Sequence, residues 1–255
     1  MNLGIEGKVA LVMGASRGIG RGAACALARE GARVAIASRS QERIEATARE
    51  LTREREAEVQ GFAVDAADLS MLPGLVRQVQ ERLGPPEILV TNTGGPPVGE
   101  SLGFDPSQWE AAYRGLVLSP LALIEAVVPA MRERGFGRIV NITSVSTREP
   151  IPGLILSNSH RLAAVGTFKT LSRELARDGI LLNSVAPGLI ATDRIAELQG
   201  KPLEEIARQP QPDVPVGRLG TVEEIGDVIA FLCSARASYL AGLNLPVDGG
   251  LVRGI

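Results

Sequence analysis

Seven short runs rich in β-branched residues recur along the chain, and longer segments of helical period separate them. The runs are KVALVMG (8–14), RVAIAS (33–38), EVQGFAV (58–64), EILVTN (87–92), GRIVNIT (137–143), ILLNSVAP (180–187) and LNLPVD (243–248). Such alternation is the signature of a parallel sheet covered by helices on both faces. It predicts helices near 18–31, 40–56, 69–83, 106–134, 155–178 and 221–235. The expected fold class is α/β, a single Rossmann-type doubly wound parallel sheet of about seven strands flanked by helices. The 255 residues suit one large domain over 1–255. Gly31, Gly84, Gly135 and Gly179 each follow a helical segment shortly before a strand, as helix stops do. In the segment from Gln41 onward, charges surround a stripe of Ile44, Ala48 and Leu51, the pattern of a helix with one buried edge.

One stretch breaks the alternation. Residues 188–216 lack a strand and gather prolines at 202, 210, 212 and 215. A long excursion of this kind in a compact domain is expected to be a substrate loop or lid.

A hydrophobic fraction of 45% rules out a disordered chain. The net charge of −2, with both signs interspersed, gives no electrostatic reason to bind nucleic acid or an anionic membrane. Cys25 and Cys233 each stand in an apolar helical run, which favours free buried thiols and a reducing cytoplasm over a disulfide. The N-terminus has no basic region before its apolar run and no cleavage pattern, and no run approaches about 18 apolar residues. A cytoplasmic protein without a targeting signal or a membrane is expected, and no metal site is read.

The first strand runs directly into GASRGIG, with glycines at 14, 18 and 20 as a helix begins. Gly14 permits the tight turn, Gly18 admits a pyrophosphate close to the backbone, and Gly20 lets the helix pack on the strand. The spacing GxxxGxG differs from the commoner GxGxxG, and glycines also close such turns for structural reasons alone. At the end of the second strand, where an NAD site usually has a carboxylate, stand Ser38 and Arg39. A hydroxyl beside a guanidinium receives a 2′-phosphate, and Arg17 is placed to supply a second cation. NADP is therefore expected over NAD. The competing reading is two surface arginines that bind nothing.

These features resemble the short-chain dehydrogenase/reductase family over nearly the whole chain. The matches are GASRGIG (14–20), VDAAD (64–68), VTNTGG (90–95), GRIVNITSV (137–145), LNSVAPGLIAT (182–192) and GRLGTVEEIGDVIAFLCSARASYLAGLNLPVDGG (217–250). The chain looks most like the 3-oxoacyl-acyl-carrier-protein reductase type. The resemblance implies that Ser16, Arg17 and Ile19 join the glycines at the cofactor, and that Asp65 and Ala66 meet the adenine. It also implies that Asn92, Thr93 and Gly94 line the adenosine side, while Pro187, Gly188, Ile190 and Thr192 cover the nicotinamide and its phosphate. Bland alternatives stand beside these roles: Asp65 as a cap, Pro187-Gly188 as a turn.

The family's catalytic set is a serine, a tyrosine, a lysine four residues later, and an asparagine in a preceding helix. Ser144 matches the serine. In SNSHR (157–161), however, Ser157 stands at the tyrosine position and Arg161 at the lysine position, while Leu116 stands where asparagine is expected. Serine is shorter and far less acidic than a phenol. Ser157 and Arg161 share a helix face, so Arg161 can still point toward the cofactor and bind ribose hydroxyls, but a guanidinium makes a poor acid. Other donors are His160, the one histidine, and Tyr113, with Tyr239 more remote. Three readings remain open at this stage. One is an NADP-dependent reductase of a 3-oxoacyl or other carbonyl compound with a non-standard site. The second is a catalytically inactive dinucleotide-binding sensor or partner subunit, and the third is non-redox lyase or isomerase chemistry. The resemblance also implies a homotetramer or homodimer, through the helices at 106–134 and 155–178.

Overall fold

The computed structural model describes residues 1–55 and 57–254. Position 56 of the helix expected at 40–56, and Ile255 at the end of the expected domain, lie outside the described residues. The seven expected strands are present as β1 (Val9–Met13), β2 (Arg33–Ser38), β3 (Val59–Ala63), β4 (Ile88–Thr91), β5 (Gly137–Ile142), β6 (Ile180–Pro187) and β7 (Asn244–Val247). They form one sheet in the order 3-2-1-4-5-6-7, every pair parallel. Growth of the sheet reverses between β1 and β4, which opens a crevice at the carboxyl ends of those strands, the usual ligand position in such sheets.

Helices cover both faces because the inner strands are buried on both sides. On one face α1 (Gly18–Arg29), α2 (Gln41–Arg55) and α9 (Val222–Leu232) pack through Leu27, Ile44, Leu51 and Ile229 onto Ala10, Val12 and Ile36. On the other, α3 (Leu72–Leu83), α5 (Ser119–Arg134) and α6 (Ile155–Leu175) pack through Val79, Leu123 and Phe168 onto Leu11, Leu89 and Leu182. The stripe of Ile44, Ala48 and Leu51 is buried as its spacing requires. Gly135 ends α5 in the left-handed region at φ +61°, a conformation that costs glycine least.

The helix expected at 106–134 is continuous but not uniform. A capping box of Asp105 and Gln108 starts α4 (Pro106–Tyr113), and a π-turn over Arg114–Leu118 then carries the chain into α5. Leu116 is buried in that turn. The whole stretch is long and apolar enough to cross a membrane by length and composition, yet half of its most apolar window is buried within the molecule, so it serves as a core helix.

The 188–216 excursion contains two short helices, α7 (Asp193–Gln199) and α8 (Leu203–Arg208). They enclose a small core of their own, Ile195, Ile206 and Leu219. A single parallel bridge between Ile190 and Gly220 ties the excursion's base.

At the opposite end of the sheet from the crevice, Arg138 is only 5% exposed. Its Nε donates to the Ser234 carbonyl at 3.1 Å, and Nη1 donates to the carbonyls of Gly137 (2.8 Å) and Gly179 (3.1 Å). The guanidinium lies 4.3 Å from the centre of the Phe136 ring. Burial lowers its pKa from the usual arginine value. Neither cysteine is in a disulfide, and burial pushes the Cys233 thiol up to about 12.

Candidate active site and dinucleotide groove

The glycine turn is built by backbone contact. A Cβ on Gly20 would fall 2.4 Å from the Gly14 carbonyl oxygen, and one on Gly14 would fall 2.5 Å from the Asn92 carbonyl oxygen. Asn92 also donates from Nδ2 to the Gly14 carbonyl at 3.3 Å, so β4 braces the turn that follows β1. Arg17 occupies the N-cap of α1 without a side-chain cap, which leaves the first N–H groups of the helix available to an anion. Ile19 packs into the core, and the Ser16 carbonyl accepts from Thr47 Oγ1.

Next along the groove, Ser38 Oγ is buried with no hydrogen-bond partner. Arg39 beside it is exposed and, among the described residues, has no ion-pair partner within 4.0 Å. An orphaned hydroxyl next to a free guanidinium fits a phosphate group. Arg17 is placed differently from the expectation of a second cation here. Its Nη1 lies 2.6 Å from Asp193 Oδ2 on α7, so a role at a 2′-phosphate requires it to exchange partners. Asp65 accepts from Ala67 N in a local turn, and Ala66 packs against the core.

Pro187 ends β6, and Gly188 lies so close to Asp248 that a Cβ there would sit 2.7 Å from the aspartate Cβ. Ile190 is buried in the bridge to Gly220. Thr192 caps α7 by position, and a Cβ on Gly18 would meet its Cγ2 at 3.5 Å. The 188–216 excursion therefore lies beside the glycine turn.

The three candidate catalytic residues gather at the carboxyl end of β5. Ser144 begins a short 3-10 turn, its Oγ accepting from Ser146 N at 3.1 Å. Ser157, 6% exposed on α6, accepts from Arg161 Nε at 3.1 Å. Arg161 continues outward, with Nη1 donating to the Ile142 carbonyl (2.7 Å) and Nη2 to the Gly94 carbonyl (3.2 Å). Both serine hydroxyls thus receive a hydrogen bond and keep their own protons to donate. No carboxylate lies within 4.0 Å of the Arg161 guanidinium among the described residues. Burial, reinforced by the charge of Arg194, pushes its pKa down to about 10, so it remains a cation at neutral pH. Beneath the site, Thr91, Asn141, Ser184 and Asn244 pair in register across β4 to β7, giving the groove a polar floor.

The alternative proton donors lie elsewhere. His160 is packed between α4 and α6, its ring 5.4 Å from that of Trp109 and 6.1 Å from that of Tyr113. Nδ1 meets the Leu156 carbonyl at 2.7 Å and must donate to it, which fixes the tautomer. Tyr113 faces outward at 44% exposure, and Tyr239 is fully exposed. An apolar cleft of about 460 Å³ opens beside Asn158, Ser159 and Leu162, on the side of α6 turned away from Ser157 and Arg161.

Sequence reasoning missed Arg194. It sits in α7, and only its reach across the groove to the turn at Gly94–Pro96 draws attention to it.

Residues 14–252 match the family described as enoyl-(acyl carrier protein) reductase. The chain belongs to the short-chain dehydrogenase/reductase family. Curated relatives within it include the 3-oxoacyl-[acyl-carrier-protein] reductase of Aquifex aeolicus, 32% identical over 98% of this chain and 100% of the relative. The same-named enzyme of Escherichia coli is 34% identical over 98% of this chain and 99% of its own length. Among solved structures, L-sorbose reductase from Gluconobacter frateurii, complexed with NADPH and L-sorbose, is similar at a TM-score of 0.91 and 30% identity, with both chains fully covered. YwfH, an NADPH-dependent reductase involved in bacilysin biosynthesis, is similar at a TM-score of 0.89 and 29% identity over 97% of this chain and 99% of its own.

Proposed function

We propose that the protein is an NADP-dependent carbonyl reductase in which Ser144, Ser157 and Arg161 carry the chemistry. One observation carries this reading: Arg161 binds the Ser157 hydroxyl and the Gly94 carbonyl at once, tying the proton-donor position to the loop that lines the cofactor groove. Membership of an oxidoreductase family, and two NADPH-linked structural relatives, support the same class.

The cofactor's pyrophosphate is assigned to the uncapped N-terminus of α1, and its 2′-phosphate to Ser38 and Arg39. Asp65 and Ala66 border the adenine, Asn92, Thr93 and Gly94 the adenosine side, and Pro187 to Thr192 the nicotinamide. Bound there, the reduced nicotinamide supplies a hydride to the substrate carbonyl carbon. As the C=O electrons shift to oxygen, the Ser144 and Ser157 hydroxyls donate to that oxygen, and the Arg161 cation behind Ser157 offsets the developing charge. Ser157 delivers the proton and is reprotonated from solvent. Arg161 orients and polarises throughout, since it does not titrate near neutral pH. Ser157 lies deeper than a phenolic oxygen would, so the arrangement suits a compact carbonyl compound. The reductases related to this chain give the inactive alternative no support.

The reading includes a cytoplasmic protein without a disulfide and a homo-oligomer. Exposed Tyr113 and Leu162 on the α4 and α6 surface support the latter.

The test is a calorimetric titration with NADPH and NADH, followed by NADPH oxidation against a panel of small carbonyl compounds. NADPH is expected to bind at least tenfold more tightly than NADH, and Arg39→Ala to remove most of that difference. Equal binding of the two, or turnover by none of the panel, would count against the assignment.

A further inference from the structure

We propose that Arg161 and Arg194 form an anion subsite beside the two serine hydroxyls, and that the substrate is a small 2-oxo acid. This rests on the reductase reading and narrows it to a substrate class.

Two guanidinium groups reach one turn from opposite walls of the groove. From α6, Arg161 donates to the Gly94 carbonyl at 3.2 Å. From α7, Arg194 donates through Nη2 to the Pro96 carbonyl at 3.0 Å. Between them, Gly95 is held so closely that a Cβ there would stand 2.9 Å from Cζ, Nε and Nη2 of Arg194. The guanidinium thus fills the space a side chain at position 95 would need. Like charges brought this near repel, and the Arg194 charge is one of the two causes that lower the Arg161 pKa.

Little on the protein offsets that charge. All three of Arg161's acceptors are neutral, and they use three of its five N–H groups. Among the described residues Arg194 has one carboxylate within 4.0 Å, Glu197 at 3.4 Å with a side chain 54% exposed. A cation pair of this kind is stabilised when an anion arrives to share it.

The placement selects substrate over cofactor. Phosphate-binding features lie at the ends of β1 and β2, in the α1 N-terminus and in Ser38 with Arg39. Arg161 instead bonds the residue that ends β5, two positions before Ser144, and its Nε bonds Ser157. Proximity points to the class of acid. Arg161 Nε donates to Ser157 Oγ at 3.1 Å, so a carbonyl oxygen held by that hydroxyl lies beside the guanidinium. A carboxylate on the carbon next to the carbonyl stays within reach of the same guanidinium.

Oxamate, an unreactive 2-oxo acid analogue, is the binding probe, titrated calorimetrically into the full-length protein with and without NADP. In parallel, kcat/KM is measured for pyruvate and 2-oxobutyrate against butanone. Oxamate is expected to bind the native protein, Arg194→Gln to weaken it at least tenfold, and Arg194→Lys to recover part of the loss. The acid-over-ketone ratio of kcat/KM should fall with the affinity. Thermal melting checks that both variants fold. Failure of oxamate to bind the native protein overturns the proposal, as does a Gln variant that keeps both the affinity and the ratio. If no carbonyl compound oxidises NADPH while oxamate binds and loses affinity in the Gln variant, the reductase reading fails and the anion subsite stands.

Discussion

Replacing Arg161 by methionine is expected to lower kcat/KM for NADPH-dependent carbonyl reduction by about a hundredfold or more, with little change in melting temperature. The catalytic loss follows from two roles held by one side chain. Arg161 fixes Ser157 Oγ at 3.1 Å, and it places a positive charge behind the oxygen on which negative charge develops. Removing a single preorganised group that stabilises such an oxyanion costs roughly 10²–10³ in rate. The stability balance is different. Losing the side chain takes this donor from the Ile142 and Gly94 carbonyls and from Ser157, at about 1–3 kcal/mol for each group left buried and unsatisfied. Against that, the same change removes a buried cation that no carboxylate offsets and that Arg194 repels. These contributions oppose one another. Steady-state kinetics and thermal melting on the same preparation separate the roles. A variant that melts early and keeps its specific activity would make Arg161 a structural residue, and the catalytic assignment would fall.

The second large effect concerns stability rather than chemistry. Gly22→Ala is expected to destabilise the protein by about 3 kcal/mol, at the upper end of what overpacking usually costs. In a domain of this size that lowers Tm by roughly 6–12 °C. On α1, a Cβ at Gly22 would fall 2.3 Å from the Val222 carbonyl oxygen. On α9, a Cβ at Gly226 would fall 2.6 Å from the Gly22 carbonyl oxygen. The two helices cross backbone against backbone, so no flexible side chain can yield. The displacement also carries the N-terminus of α1, and NADPH affinity should fall with Tm. Gly74→Ala is the control, because only the tip of Arg77 lies within 4 Å of the added Cβ. A Gly22→Ala protein that melts like the Gly74→Ala protein would show that the crossing relaxes.

The seven strands were legible because each is a short β-branched run, and buried parallel strands carry that signature locally. The stripe of Ile44, Ala48 and Leu51 was equally local. Residues that act through distant partners were not. Gly22 reads as an ordinary helical glycine until α9, some two hundred positions later, is laid across it. Arg17 sits in the glycine turn, yet its partner is Asp193 on α7. The π-turn at Arg114–Leu118 takes in one extra residue and shifts the side-chain phase, but the run that follows is so evenly apolar that no break in its pattern shows. In the catalytic region the positions of Ser144, Ser157 and Arg161 could be counted along the chain. The three carbonyl and hydroxyl acceptors of Arg161 could not, since two of them lie on other elements.

Arg138 and Arg161 mark the two rims of the same central strand. Each directs its guanidinium at backbone carbonyls, and burial lowers the pKa of each. Arg138 closes the rim where helices end and strands begin, and its acceptors are the joints of the scaffold. Arg161 stands on the rim where strands end, and its acceptors line the groove. A parallel sheet separates these tasks by its length, so redesign of what the protein recognises can be confined to the loops of one rim while the joints at the other are left untouched.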